Sequence, residues 1–340
     1  MSRHDSAAPL CDDRGLWNTW MSMFHFPTLA VADEIGLFSI LAENPCTPDQ
    51  LAHKLGLSPR AVEALLGTLT SLNYLIQLNG VFHLEEVSRS FLLPQSQYYW
   101  GGILRYMRSN PITFESLMDA VRNDKATIYR DKDVWEAHEV DVEQARIFTA
   151  HMHSQSVAPA AGAARRGPFQ DVKRLLDVGG GSGVFSYTLA HAFPDMRCTV
   201  LELPVVCRIA EEHIAREELT DRVDTVSVDF FNDPFPPGYD AILFSNIFHD
   251  WGPERCLDLA RRSFEALPSG GRIFLHEIPL NDSKSGPLHA SAFSVCLFWV
   301  TEGKQYSIAE LEDMLTQCGF QDVTVTPTYG YYVTVSAVKP

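Results

Sequence analysis

From residue 164 onward the chain alternates short apolar runs with stretches of helical length. Leu175, Leu176 and Val178 lead into the turn Gly179-Gly180-Gly181-Ser182-Gly183, and an apolar stretch over 184–193 reads as the helix that follows. Strand-like runs recur at 198–203, 222–231, 240–248 and 271–276. Strand, turn and helix in repetition predict an α/β domain over residues 164–340. A helical run at 286–301, a polar turn at 302–307 and a helix at 308–318 follow, and the first of these serves equally as a core helix or as a pocket wall.

Residues 1–163 carry another pattern and predict a separate, mainly α-helical domain. Capped helices surround a glycine turn over 47–66, and 74–83 forms a hairpin about Asn79-Gly80, which together read as a winged helix-turn-helix. Upstream, Trp17, Trp20, Met21, Met23, Phe24, Phe26, Leu29, Ala30 and Ile35 make an apolar helical surface larger than one small domain buries. A second copy of the chain or the second domain of the same chain would cover it; the expectation is a homodimer.

The glycine turn carries the first chemistry. Glycine tolerates positive φ and lets a ligand touch main chain, so a strand that ends in such a turn is built for close approach. A dinucleotide fingerprint counted from Gly179 and Gly181 wants a third glycine where Val184 stands, and a phosphate loop wants Lys followed by Ser or Thr. Asp177-x-Gly179-x-Gly181-x-Gly183 instead suits a cofactor without phosphate, S-adenosylmethionine, whose amino acid tail and ribose lie against bare backbone. Glu202 stands 23 residues beyond Gly179, where an acid can take both ribose hydroxyls. Asp229 closes the third strand-like run as an acceptor for the adenine amino group, with Phe230 over a ring face.

His249 ends the run 240–248, at the strand mouth where ligands of open α/β sheets bind. An ordinary imidazole titrates near ~6.5, so its neutral form is available at neutral pH to take a proton from a phenol of pKa about 10. Glu277 ends the neighbouring run and can hold the ring nitrogen that carries the proton.

Taken in order, Leu176-Asp177-Val178-Gly179-Gly180-Gly181-Ser182-Gly183, Leu201-Glu202-Leu203-Pro204, Asp229-Phe230-Phe231, His249-Asp250-Trp251, Gly270-Gly271-Arg272 with Glu277, and Gly303-Lys304-Gln305-Tyr306-Ser307 resemble the S-adenosylmethionine-dependent O-methyltransferases of the caffeic acid and hydroxyindole type and their bacterial natural-product relatives. The resemblance spans nearly the whole chain. It implies a Rossmann-like class I methyltransferase domain behind an N-terminal winged-helix dimerisation domain, with strands at 323–327 and 331–338 completing the sheet. It adds Leu203 to the cofactor contacts and places Ser245 near the adenine or sulfonium, where plant members commonly carry lysine. Asn246, Cys296, Trp299 and Val300 then face the acceptor, in an apolar and aromatic pocket that favours a flat ring. Phe148 and Met152 would form a lid, although their i, i+4 spacing on a helix over 143–156 also suits plain packing. The family's second acid falls at Gln305, an amide that can position a ring but supplies no charge.

The resemblance thus implies O-methylation of a phenolic or enolic hydroxyl on an aromatic secondary metabolite. Transfer to carbon or nitrogen, or another reaction such as a pericyclic step, is compatible with the same fold and cofactor. A DNA-binding regulator is disfavoured by charge. Lys54 and Arg60 of the winged segment are matched by Asp49 and Glu63, and the chain carries a formal charge of -16. The resemblance gives that segment to a dimer interface that partly closes the partner's active site. Seven scattered cysteines without a Cys-x-x-Cys pair point to neither disulfide framework nor metal site. No signal-like or membrane-length apolar segment is apparent, so a cytoplasmic protein is expected.

Overall fold

The computed structural model describes residues 10–126 and 142–340. The chain separates into two compact units, divided between Ser109 and Asn110.

In the first unit, helices Pro48–Leu55 and Pro59–Ser71 form where the sequence supplies caps. The Thr47 hydroxyl accepts from the Gln50 amide while the Gln50 side chain returns to Thr47, and Ser58 caps the second helix ahead of Pro59. Gly56, at φ 65°, turns the chain between them. Strands β1 (Leu75–Leu78) and β2 (Val81–Leu84) pair antiparallel about Asn79-Gly80, both at positive φ, as a tight hairpin requires. Leu29, Phe38, Leu51, Val62, Leu66, Leu69 and Phe82 join one core. The helix Arg14–Ser22 buries none of its residues, and Trp17, Trp20, Met23 and Phe24 stand exposed.

The second unit is a doubly wound sheet. Its strands are β3 (Arg174–Val178), β4 (Arg197–Glu202), β5 (Val223–Ser227), β6 (Ala241–Ser245), β7 (Arg272–Glu277), β8 (Gln321–Tyr329) and β9 (Tyr332–Val338), in the order β5-β4-β3-β6-β7-β9-β8. β3 to β7 run parallel, and the β8–β9 hairpin adds an antiparallel edge. Strand alternation divides the apolar residues between two cores. Leu176, Val178, Ile242, Phe244, Ile273 and Leu275 enter one, while Leu175, Ala241, Leu243 and Phe274 enter the other.

Three expectations are corrected. The boundary expected between residues 163 and 164 falls inside the second unit, because the helix Val142–Arg166 packs on helices Val184–Ala192 and Pro204–Arg216 and on β8. The approach to β8 is close: a Cβ on Gly162 would stand 2.4 Å from Tyr329 Cβ. The run 240–248 is strand only to Ser245, since Asn246 turns the chain at φ 57° and Phe248–Asp250 is a 3-10 turn. The run 222–231 likewise ends at Ser227, because Asp229 draws the chain into a turn by accepting from the Phe231 and Asn232 amides at 3.0 and 3.3 Å.

Candidate active site

The sheet order reverses between β3 and β6, and the carboxyl ends of β3, β4, β6 and β7 carry the glycine turn, Glu202, Ser245 and Glu277. Gly179, Gly181 and Gly183 take φ of 67°, 57° and 76°. A Cβ at Gly179 would stand 2.4 Å from Ile247 Cδ1, so glycine is required there, whereas a Cβ at Gly181 would meet nothing within 4 Å. Gly181 therefore turns bare main chain toward open space, which fits a ligand lying flat on backbone.

Glu202 ends β4 beneath this loop. Its Oε1 accepts from the Gly181 amide at 3.1 Å and its Oε2 from the Leu203 amide at 2.9 Å, leaving one lone pair on each oxygen for a ligand. Burial pushes the carboxyl up, against the two amides, to about 7. Asp177 faces the other way: it is fully enclosed, accepts from Ser186 Oγ at 2.8 Å and is raised by burial to about 6. It braces the turn from below, since a Cβ on Gly180 would lie 2.8 Å from its carboxyl. Asp229 is exposed, and hydrogen bonds from Asn232 and from backbone amides outweigh burial to hold it below the usual carboxylate range. Phe230 packs beside it against Phe231 and Trp251.

His249 lies on the 3-10 turn after β6 and is 4% exposed. Its Nδ1 stands 2.8 Å from Glu277 Oε2, an ion-pair distance outside good hydrogen-bond alignment, and its Nε2 lies 3.7 Å from Asp250 Oδ1. The Phe293 ring meets it edge-on at 5.3 Å. Burial alone would lower this imidazole, yet Glu277 and Asp250 outweigh it and hold it at about 8. That corrects the expectation of an imidazole near its ordinary value. Asp250, to which the sequence reading gave no role, is itself pushed up by burial to about 6.

The turn Gly303–Ser307 is laid directly on this segment. A Cβ at Gly303 would fall 2.0 Å from the His249 carbonyl oxygen, and Tyr306 Oη donates to the Trp251 carbonyl at 2.7 Å. Gln305 is fully buried here, and neither atom of its side-chain amide has a hydrogen-bond partner. Its backbone amide donates to Ser294 Oγ at 3.2 Å.

The remaining candidates divide. Ser245 and Asn246 stand at the end of β6, with Asn246 Nδ2 donating to Tyr332 Oη at 3.4 Å and its Oδ1 unpartnered. Cys296 is half-buried, and its thiol is raised by burial and by Asp250. Trp299 is 5% exposed and its Nε1 donates to Ser116 Oγ at 3.1 Å, so this side chain ties its helix to Phe114–Asn123 rather than opening on a pocket. Val300, Phe148 and Met152 are half-buried, the last two on Val142–Arg166. Gln155, His276, Thr328 and Tyr332 escaped the sequence reading; His276 alone carried a signal, as a polar residue in an apolar strand. Among the described residues no group of three or more His, Cys, Asp or Glu side chains is placed to hold a metal ion.

Comparison with known proteins gives the family of the chain. The O-methyltransferase domain family matches residues 114–321, and the O-methyltransferase dimerisation domain matches 19–94. The chain is 34% identical over 313 residues to the 3-hydroxy-5-methyl-1-naphthoate 3-O-methyltransferase of Streptomyces sahachiroi, covering 91% of this chain and 88% of that one. It is 29% identical to the L-tyrosine C(3)-methyltransferase of Streptomyces lavendulae, over 93% and 89% of the two chains. The solved structure of PigF, a methyltransferase known from Serratia, with S-adenosylhomocysteine superposes with a TM-score of 0.78 at 26% identity, over 97% of this chain and all of that one.

Proposed function

This chain belongs to the S-adenosylmethionine-dependent O-methyltransferase family, and from that membership we propose that it methylates a phenolic hydroxyl of an aromatic small molecule with His249 as general base. The observation that carries the reading is the His249–Glu277 pair, buried together beside the sheet reversal. Glu277 holds Nδ1 and its proton, which leaves Nε2 to take the proton of the acceptor hydroxyl; the imidazolium so formed stays beside a carboxylate. The bound cofactor supplies an electrophilic methyl group. Gly179, Gly181 and Leu203 offer backbone to it, Glu202 receives the ribose, Asp229 the adenine amino group with Phe230 beside the ring, and Ser245 the methionine end. Asp177 acts through the turn that it braces. Phe148, Met152, Asn246, Cys296 and Val300 then border the acceptor, and Gln305 packs behind the base as a neutral amide.

The test is methyl transfer from labelled cofactor to a panel of phenols, with calorimetry of cofactor binding alongside. His249→Ala should lose about 10²- to 10⁴-fold in kcat, the usual contribution of a general base, with cofactor affinity retained. Unchanged turnover would leave His249 a structural residue. The likeness to a tyrosine C(3)-methyltransferase favours one second reading, since a phenolate can also attack through its ring carbon. Product analysis separates the two. The match to the dimerisation domain supports a homodimer.

A further inference from the structure

A chain of buried hydrogen bonds ends at Ser245. It begins at the Tyr332 carbonyl, which only accepts, and to which Thr328 Oγ1 donates at 3.2 Å. With the threonine proton so used, the contact of 3.0 Å between Thr328 Oγ1 and His276 Nε2 requires the imidazole to be the donor. His276 is completely enclosed, stacked on Tyr332 at 4.7 Å and met by the Phe185 edge at 5.0 Å, and burial holds it down at about 3. The ring is therefore neutral. A neutral imidazole carrying its proton on Nε2 has a bare Nδ1, and the 3.2 Å contact there must be a hydrogen bond donated by Ser245 Oγ. Ser245 then has only lone pairs left for a ligand.

The sheet order says what those lone pairs meet. Glu202 ends β4 and Asp229 follows β5 on one side of the glycine turn, whereas Ser245 ends β6 on the other side. If the ribose and adenine lie toward β4 and β5, the methionine end of the cofactor lies toward β6. We propose that His276 is a positioning residue, which with Thr328 fixes Ser245 as a pure acceptor for the cationic methionine end of the cofactor. The inference rests on the cofactor placement given above and refines it. It also explains why a histidine sits in the interior of β7, where an apolar residue would otherwise pack.

Imidazole nitrogen NMR of the intact protein, with residue 276 assigned by its loss in His276→Gln, tests the relay without any turnover. The expected signal is a neutral ring protonated on Nε2, unchanged from about pH 5 to 9 and on addition of S-adenosylhomocysteine. Protonation on Nδ1, or titration in that interval, overturns the proposal. Calorimetry tests the consequence. Where the ammonium is the cation held, S-adenosylhomocysteine should bind about 12- to 150-fold more weakly to Ser245→Ala, the range of a hydrogen bond to a charged group, and should also bind more weakly to Thr328→Val. Thr328→Ser should restore affinity, and the double variant should lose no more than Ser245→Ala alone.

Ligand choice identifies the cation. A deaminated analogue insensitive to Ser245→Ala assigns the ammonium, a larger loss for S-adenosylmethionine than for S-adenosylhomocysteine assigns the sulfonium, and an equal loss for all three overturns the acceptor role. Normal binding by Thr328→Val refutes the relay alone, while a wild-type protein that binds no S-adenosylhomocysteine refutes the cofactor placement beneath it. Should Thr328→Val fail to fold, the wild-type NMR measurement still decides.

Discussion

His249 is pulled in two directions, and for the base proposed above that balance sets the pH at which it could accept a proton. Burial favours the neutral ring, Glu277 and Asp250 favour the charged one, and the carboxylates prevail to place it at about 8. The free protein at neutral pH thus holds mostly imidazolium, which cannot accept a proton. Because the base form grows as pH rises, kcat/KM should climb about tenfold per pH unit below the midpoint and level off above about 8. Glu277→Gln removes the nearest raising charge, so the midpoint should fall along with the plateau. A midpoint still at about 8 in that variant would mean that another group raises it. The charged Gln305→Glu variant should move the midpoint up, the opposite direction, since a buried acid would stabilise the imidazolium further.

Between elements, contacts of backbone against backbone place the chemistry. Gly303 brings its turn so near the His249–Trp251 backbone that any side chain must displace one or the other. Gly303→Ala should cost about 1–3 kcal/mol of stability, the range for overpacking, and should lower kcat as well, because the displaced atoms carry His249. Thermal melting with initial rates checks both; a variant with wild-type melting and wild-type rate would show that the turn yields freely. The glycine turn and the acid at the end of β4 were legible because they lie within one βαβ segment, from Leu175 to Leu203, whereas the turning of Asp177 away from the cleft to Ser186 was not. The shortened β5 and β6 were not, since apolar residues such as Phe230, Ile247 and Phe248 extend the run while packing from loops.

For the molecule as a whole, the question is what covers the apolar helix at its start. Trp17 and Trp20 lie 5.1 Å apart between ring centroids and are 50% and 56% exposed, next to Met23 and Phe24. The surface borders and enters the segment matched to the dimerisation domain. A Trp17→Glu, Trp20→Glu double variant should therefore shift the protein from dimer to monomer in sedimentation, by burying charge where apolar surface would meet its copy. A dimer of unchanged strength would assign the surface to another partner. Among the described residues no single helix is long and apolar enough to cross a membrane.

Local chemistry was written along the chain: the glycines that permit positive φ, the acid a fixed distance beyond them, the caps of Thr47 and Ser58, and a histidine and a glutamate at the ends of successive apolar runs. These follow from short-range sterics and strand periodicity, which one stretch of sequence contains. The pKa of His249, the buried amide of Gln305, the attachment of Val142–Arg166 to the sheet, and the line from Tyr332 through Thr328 and His276 to Ser245 join residues far apart in the chain, as far as the 167 positions between Gly162 and Tyr329. Burial and hydrogen-bond direction exist only once distant strands lie side by side, and no periodicity in the chain announces which of them will meet.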